Sequence, residues 1–349
     1  MTEAAIRDPR ADDRTPGVRV WRGERIESLH DVHAAVADPE GRLRSAHGDP
    51  ERGAWIRSSA KPIQVLPLIE EGLVDRFGFT GPELAVMVAS HGAQPFHLEA
   101  VRSVLGRADL DPELLQCGPH MPLDDEAAAE LRRSGREPDR IHNNCSGKHA
   151  GMLAACRGMG WPLETYLEPD HPLQDRIHRT VADLAGLPPS EVPRAVDGCG
   201  APTFFLPVSA MATAFARLAG ADRERDTDRA RAIGVVLDAM AAHPEHVAGT
   251  GRVDTDLMAR IGRRVVVKTG AEGVFCAALR ESGLGLALKV ADGGKRAQDV
   301  ALIELLVDAA AIDEATAAVL TVHWRPDIRN HAGRVVGRID ARLPLETPL

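Results

Sequence analysis

The residues whose types and spacing can do chemistry fall in five short runs. The first, Ser58-Ser59-Ala60-Lys61-Pro62, sets a hydroxyl and an amine three positions apart, ahead of the apolar-periodic stretch Ile63, Val65, Leu66, Leu68 and Ile69. On a helix that spacing stacks both side chains on one face, where a neutral amine can take the hydroxyl proton. A serine acyl-transfer site without a histidine base needs that arrangement. The plainer alternative is an N-cap serine beside a solvated lysine. The second run, Ser90-His91-Gly92, follows an apolar segment and offers a hydroxyl that orients substrate, relays a proton or merely ends a helix. The third, Lys268-Thr269-Gly270-Ala271-Glu272-Gly273, leaves a strand through a glycine turn. Gly270 and Gly273 would let a ligand approach the backbone there, although Lys268 can equally snorkel from a strand end.

The other two runs concentrate polar groups. Asn143-Asn144-Cys145-Ser146-Gly147-Lys148-His149 precedes a small-residue helix, and Asp197-Gly198-Cys199-Gly200-Ala201-Pro202 places a thiol between two glycines. Such density costs desolvation unless each group is satisfied or used. Cys145 and Cys199 are either ordinary buried thiols or, if they face each other, ligands for a soft metal with His149 or Lys148.

Strands and helices must position these runs. Alternation and turn signals predict strands at Val18 to Trp21 and His30 to Val36, a turn at Asp38-Pro39-Glu40-Gly41, and a returning strand at Arg42 to Ala46. A helix is expected from Ser59 to Gly72, and Pro82 opens a second one that leads to Ser90. Helices are predicted at Leu98 to Leu105, Asp124 to Arg133, Lys148 to Met159, Leu173 to Leu184, Val208 to Leu218, Asp226 to Ala242 and Arg296 to Ala309. Strands return at Val265 to Lys268, Val274 to Leu279, Leu286 to Val290 and Val335 to Ala341. Strand-rich ends around a helical middle match an antiparallel sheet closed by the two termini, with a helical lobe inserted.

Composition narrows the function classes. A chain of 349 residues with 44% hydrophobic and 27% charged side chains is of ordinary globular make-up, sized for one large domain or two interleaved lobes. A formal charge of -9, with only a loose group at Arg252, Arg260, Arg263 and Arg264, argues against a nucleic-acid surface. Met1 to Gly17 lacks an apolar core and reads as a flexible tail, neither signal peptide nor inserting helix. The uncharged run Gly198 to Ala216 contains Gly200, Pro202 and Pro207, so a loop leading into a buried helix is expected there instead of a membrane span. Five cysteines, an odd number without a visible export segment, point to free thiols in the cytoplasm.

Ser58-x-x-Lys61 with Lys268-Thr269-Gly270 resembles the motif pair of penicillin-recognising serine hydrolases. All five runs in order, with Asn330-His331-Ala332-Gly333 and Val336-Gly337 near the end, resemble the rhizobial-type L-asparaginase II family over roughly Val18 to the C-terminus. The resemblance implies an α+β fold of serine-β-lactamase and penicillin-binding-protein type. Its sheet part would cover about residues 18–60 and 262–349, its helical lobe about 61–261, and residues 18–349 would form a single catalytic domain. It also implies a homodimer that hydrolyses L-asparagine to L-aspartate and ammonia, with no organic cofactor.

The same resemblance implies two Ser-Lys pairs, Ser58 with Lys61 and Ser90 with Lys268, with Ser58 the nucleophile. Zinc would be held by Cys145, Cys199 and Lys148, the last needing to be neutral to bind metal. His149 and Asp197 would arrange the substrate and metal surroundings, Gly270 would lie against substrate, and Asp197 or Glu272 would meet the substrate ammonium. Two rival readings remain at this stage: a β-lactam or peptide serine hydrolase, and a non-catalytic zinc-binding protein.

Overall fold

The strand segments at Val265 to Val267 and Val274 to Leu279 are continuous apolar runs, which suit strands covered on both faces. The structure is a computed structural model that describes residues 16–221 and 227–347. The expected N-terminal tail, up to residue 15, and the expected helix start at Asp226 lie outside the described residues. In chain order the strands are β1 (Gly17–Arg22), β2 (Arg25–His30), β3 (Val32–Ala37), β4 (Leu43–His47), β5 (Gly53–Trp55), β6 (Arg194–Val196), β7 (Pro202–Pro207), β8 (Val265–Thr269), β9 (Val274–Leu279), β10 (Leu284–Val290), β11 (Asp327–Arg329) and β12 (Val335–Arg342). They form an α+β architecture of antiparallel sheets drawn from both chain ends, with a long, mostly helical stretch between them.

The single expected sheet is in fact two. One has the order β11-β12-β1-β2 and the other β4-β3-β10-β9-β8. The division happens across one residue: Val18 pairs with His30 at the end of β2, while Val32 opens β3 opposite Val290, so the chain changes sheets at Asp31. A third small sheet, β5-β7-β6, lies partly inside the middle stretch. Pro202 to Pro207 is therefore a strand, correcting the loop expected there. Its N–H and C=O groups pair with β6, just before it in the chain, and with β5, a segment far away in sequence that no local pattern reveals.

Every residue of β8 and β9 is buried. Helix Val208–Gly220 packs on the five-stranded sheet and is buried on nearly every side, with Ala212 and Ala216 on the face turned to β10. The approach is close enough to require a glycine: a Cβ on Gly285 of β10 would stand 2.1 Å from Ala212 O and 2.2 Å from Ala216 N. Gly285→Ala should therefore cost about 1 to 3 kcal/mol of stability, the range for overpacking, measurable as a lowered midpoint in urea unfolding. No helix among the described residues is long and apolar enough to cross a membrane.

The expected helix from Ser59 to Gly72 is broken into three pieces: a 3-10 turn over Arg57–Ala60, then helices Lys61–Gln64 and Leu66–Glu70. Pro62 and Pro67 each sit in the first turn of a piece, where a missing N–H is harmless. Pro67 cannot donate backward, and the helical ladder is interrupted at Val65. Gly72, with φ 66°, begins the next turn as the glycine signal indicated.

Candidate active site

Ser90 lies on a turn held from two sides. Its N–H donates to Val247 O at 2.9 Å, and the His91 N–H donates to Asn144 O at 3.2 Å. The turn follows helix Gly81–Met87, opened by Pro82 and a Thr80/Glu83 capping box. There the Ser90 hydroxyl receives the Lys61 amine at 3.1 Å and the Lys268 amine at 3.0 Å. Lys268 comes from the end of β8 and is fully buried; Lys61 is 1% exposed.

The expected Ser58 to Lys61 hydrogen bond is not formed. Lys61 Nζ instead donates to Ala89 O at 2.5 Å, Ser90 Oγ and Cys145 Sγ at 3.2 Å. An ammonium has three protons to place, and a buried one needs all three placed; these acceptors supply that number. Lys61 and Ser58 meet only through backbone, the Lys61 N–H donating to Ser58 O. Ser58 is half-buried, and no hydrogen bond to its hydroxyl exists among the described residues. Its neighbour Ser59 is the buried hydroxyl of the pair, donating to Lys268 O at 2.9 Å.

Burial pulls the Lys268 pKa down to about 7, with Lys61 and Arg252 adding to the effect and Asp254 opposing it. Asp254 is fully buried on helix Val253–Ile261 and accepts the Thr269 N–H at 2.9 Å, which fixes the backbone beside the lysine. The amine poised near neutrality is thus Lys268.

The two polar runs of the middle stretch do converge. Cys145 caps helix Ser146–Met159, Lys148 lies in its first turn, and Cys199 sits in the turn closed by Asp197 N–H to Ala201 O and Gly200 N–H to Asp197 O. Lys148 Nζ donates to Cys199 Sγ at 3.0 Å. Hydrogen bonding with Cys145 and the charge of Lys148 pull the Cys199 thiol below its ordinary pKa against burial, while hydrogen bonding with Cys199 and burial push Cys145 up. Burial works against the Lys148 charge, but Cys199 and Cys145 outweigh it and hold its pKa above the ordinary value. Burial also pulls His149 down to about 4. Its Nδ1 pairs with Tyr166 Oη at 2.6 Å, while its buried Nε2 has no partner. Two thiols, an amine and an orphaned imidazole nitrogen fit a borderline-soft cation. All five cysteines are free thiols.

Three expected substrate contacts look different in space. Gly270 has its N–H on Val274 O at 2.7 Å and its carbonyl on Gln298 Nε2 at 2.9 Å, leaving neither group for a ligand. Its lack of a side chain instead lets the Ser59 turn approach, because a Cβ would lie 3.0 Å from both Ile56 O and Ser59 Oγ. Asp197 is already paired, accepting from Arg57 Nη2 at 2.8 Å and Nε at 3.1 Å through the same oxygen. Glu272 is exposed at the rim, with φ 57°.

Arg57 was not singled out in the sequence. It adjoins Ser58 at φ 52°, a left-handed conformation that a non-glycine residue adopts only under constraint from its surroundings. Hydrogen bonding to Asp197 raises its pKa, with Glu272 and Cys199 adding to the same field. The one available signal was its position directly before the SxxK serine.

The antiparallel α+β scaffold thus presents one hydroxyl, that of Ser90, to two buried amines. The sequence profile described as L-asparaginase II matches residues 18–341, and the chain belongs to that family. Among solved structures, Mglu in its native form is similar at a TM-score of 0.41 and 16% identity over 81% of this chain, which spans 64% of that protein's length. A beta-lactamase from Mycobacterium bovis is similar at a TM-score of 0.39 and 16% identity, over 80% of this chain and 95% of that one. Among curated proteins none matches.

Proposed function

We propose that the protein hydrolyses L-asparagine to L-aspartate and ammonia through a β-aspartyl ester on Ser58, with Lys61, Ser90 and Lys268 moving the proton. The observation that carries this reading is the Ser90 hydroxyl held at 3.1 Å and 3.0 Å by two buried amines. Two ammoniums on one hydroxyl disfavour each other, so the group as a whole readily loses one proton. Once Lys268 is neutral, Ser90 passes its proton to Lys268 and takes one from Lys61. That leaves Lys61 as the neutral amine.

Ser58 then attacks the side-chain amide carbon as Lys61 takes its proton, a contact that forms in the substrate complex, where catalytic hydrogen bonds tighten. The C–N bond breaks, Lys61 returns the proton to the leaving nitrogen, and ammonia departs. Water attacks the ester by the same base and restores Ser58. Ser58 is favoured over Ser90 as the attacking oxygen on hydrogen-bond grounds. Ser90 Oγ stays bound between the two amines through the relay, donating to one and accepting from the other, whereas the Ser58 hydroxyl has no hydrogen-bond partner among the described residues.

In this reading the Arg57 guanidinium meets the substrate α-carboxylate and Glu272 meets its α-ammonium, since Asp197 is occupied in orienting Arg57. Arg57→Ala should raise KM for L-asparagine about tenfold or more, the worth of a charge-assisted hydrogen bond, with a smaller change in kcat. Steady-state ammonia release measures both constants. The same purified protein is expected to leave nitrocefin intact.

Zinc belongs to the proposal through Cys145, Cys199 and Lys148, with His149 Nε2 adjacent. When bound it would supply positive charge beside the proton-relay amines. Because Lys148 must give up a proton to ligate, zinc uptake should release protons and weaken as pH falls. Cys199→Ser should lose the tightly held zinc that survives dialysis, as read by elemental analysis; retention of that zinc would contradict the ligand set. A cytoplasmic homodimer completes the reading, and light scattering tests the subunit number.

A further inference from the structure

We infer a second divalent-cation site, separate from the thiol cluster, at His243, Glu245 and His246. The ligand atoms of these three side chains lie within 4.8 Å of one another, the one group of three or more histidine, cysteine or carboxylate side chains so close together among the described residues. His246 Nδ1 is 3.0 Å from Glu245 Oε1, and His243 Nδ1 is 4.0 Å from the same oxygen. Both imidazoles thus turn the same nitrogen toward one carboxylate.

The orientation of His243 is built in by its neighbour. A Cβ on Gly81 would stand 2.5 Å from His243 Nε2 and 2.7 Å from Cδ2, so the ring packs against bare backbone on that edge and presents Nδ1. His246 is held against Phe96, ring centroids 5.0 Å apart, and against His97 at 6.2 Å. Side-chain exposures of 32% for His243, 40% for Glu245 and 14% for His246 leave an open side for entry and for water ligands. Two imidazoles and one carboxylate suit zinc, cobalt or nickel better than magnesium or calcium, which prefer oxygen ligands.

The segment also supports the catalytic turn. Val247 O accepts the Ser90 N–H, and Glu245 O pairs with His97 Nε2 at 2.8 Å. His97 in turn stacks on His91, the residue after Ser90, with centroids 5.1 Å apart. An ion at this site would hold in place the backbone that positions Ser90.

Cobalt(II) titration of the purified full-length protein separates this site from the thiol cluster, because only thiolate ligation produces a sulfur-to-cobalt charge-transfer band. The expected result is a class of bound cobalt without that band. It should be lost or weakened at least tenfold in His243→Ala and in His246→Gln, and retained in Cys199→Ser. Wild-type protein whose bound cobalt all shows thiolate charge transfer overturns the inference without any variant. So does unchanged cobalt binding in both histidine variants.

Discussion

Ser58→Ala is expected to lower ammonia release from L-asparagine by about 10⁴-fold or more, the scale on which loss of a covalent nucleophile acts. The fold should be unaffected, since the Ser58 side chain makes no hydrogen bond among the described residues and the turn rests on its backbone. Ser59→Ala provides the internal contrast. It removes a buried hydrogen bond to Lys268 O, so it should lower stability by about 1 kcal/mol while leaving substantial turnover. If the two variants behaved the other way round, the acyl acceptor would be the neighbouring hydroxyl.

The second large effect belongs to Lys268. With its pKa near 7, kcat/KM should rise with pH through about 7 as the amine loses its proton, because below that point Lys268 is charged and cannot accept the relayed proton. The stability consequence has the opposite appeal. An unfolded lysine keeps its proton up to about pH 10.4, so between about 7 and 10.4 the unfolded chain binds more protons than the folded one, and stability rises with pH across that window. Below it, the buried ammonium is a standing cost to the fold. Lys268→Met should therefore lower turnover by about 10²-fold to 10⁴-fold and raise the melting temperature at pH 6. Calorimetry and a pH profile of the wild type check the two halves independently. A profile flat from pH 6 to 8 would remove Lys268 from the proton path.

The sequence showed much of the site and misplaced its connections for identifiable reasons. Ser90, Lys61 and Lys268 were all named from local motifs, and the structure brings them together around one hydroxyl. The partner of Lys61 was not legible. Its i,i+3 spacing from Ser58 describes where side chains leave the backbone, whereas a four-carbon stem ends where buried acceptors are, here Ala89 O, Ser90 Oγ and Cys145 Sγ. Arg57 carried no motif because its importance lies in an ion pair to Asp197, 140 residues away. The polar density around Cys145 and Cys199 did announce a buried cluster, since groups so costly to bury must answer one another.

The same divide separates the elements. β8, β9 and β10 were readable because mostly apolar runs with turn signals at their ends mark them, whereas the strand expected at His30 to Val36 took in the end of β2 and missed the sheet change at Asp31 that opens β3 at Val32. β2, with the exposure pattern of an outer strand and charged residues at Arg25 and Glu27, has no such run and was passed over. The split into two sheets depends on a change of direction at Asp31, which is a matter of pairing between distant segments and leaves no local mark.

Acid quenching during turnover of L-asparagine, followed by digestion and peptide mass mapping, tests the central claim most directly. The account predicts an aspartyl adduct on the peptide carrying Ser58, absent from Ser58→Ala. An adduct on the peptide carrying Ser90 instead, with that of Ser58 unmodified during full turnover, would contradict it.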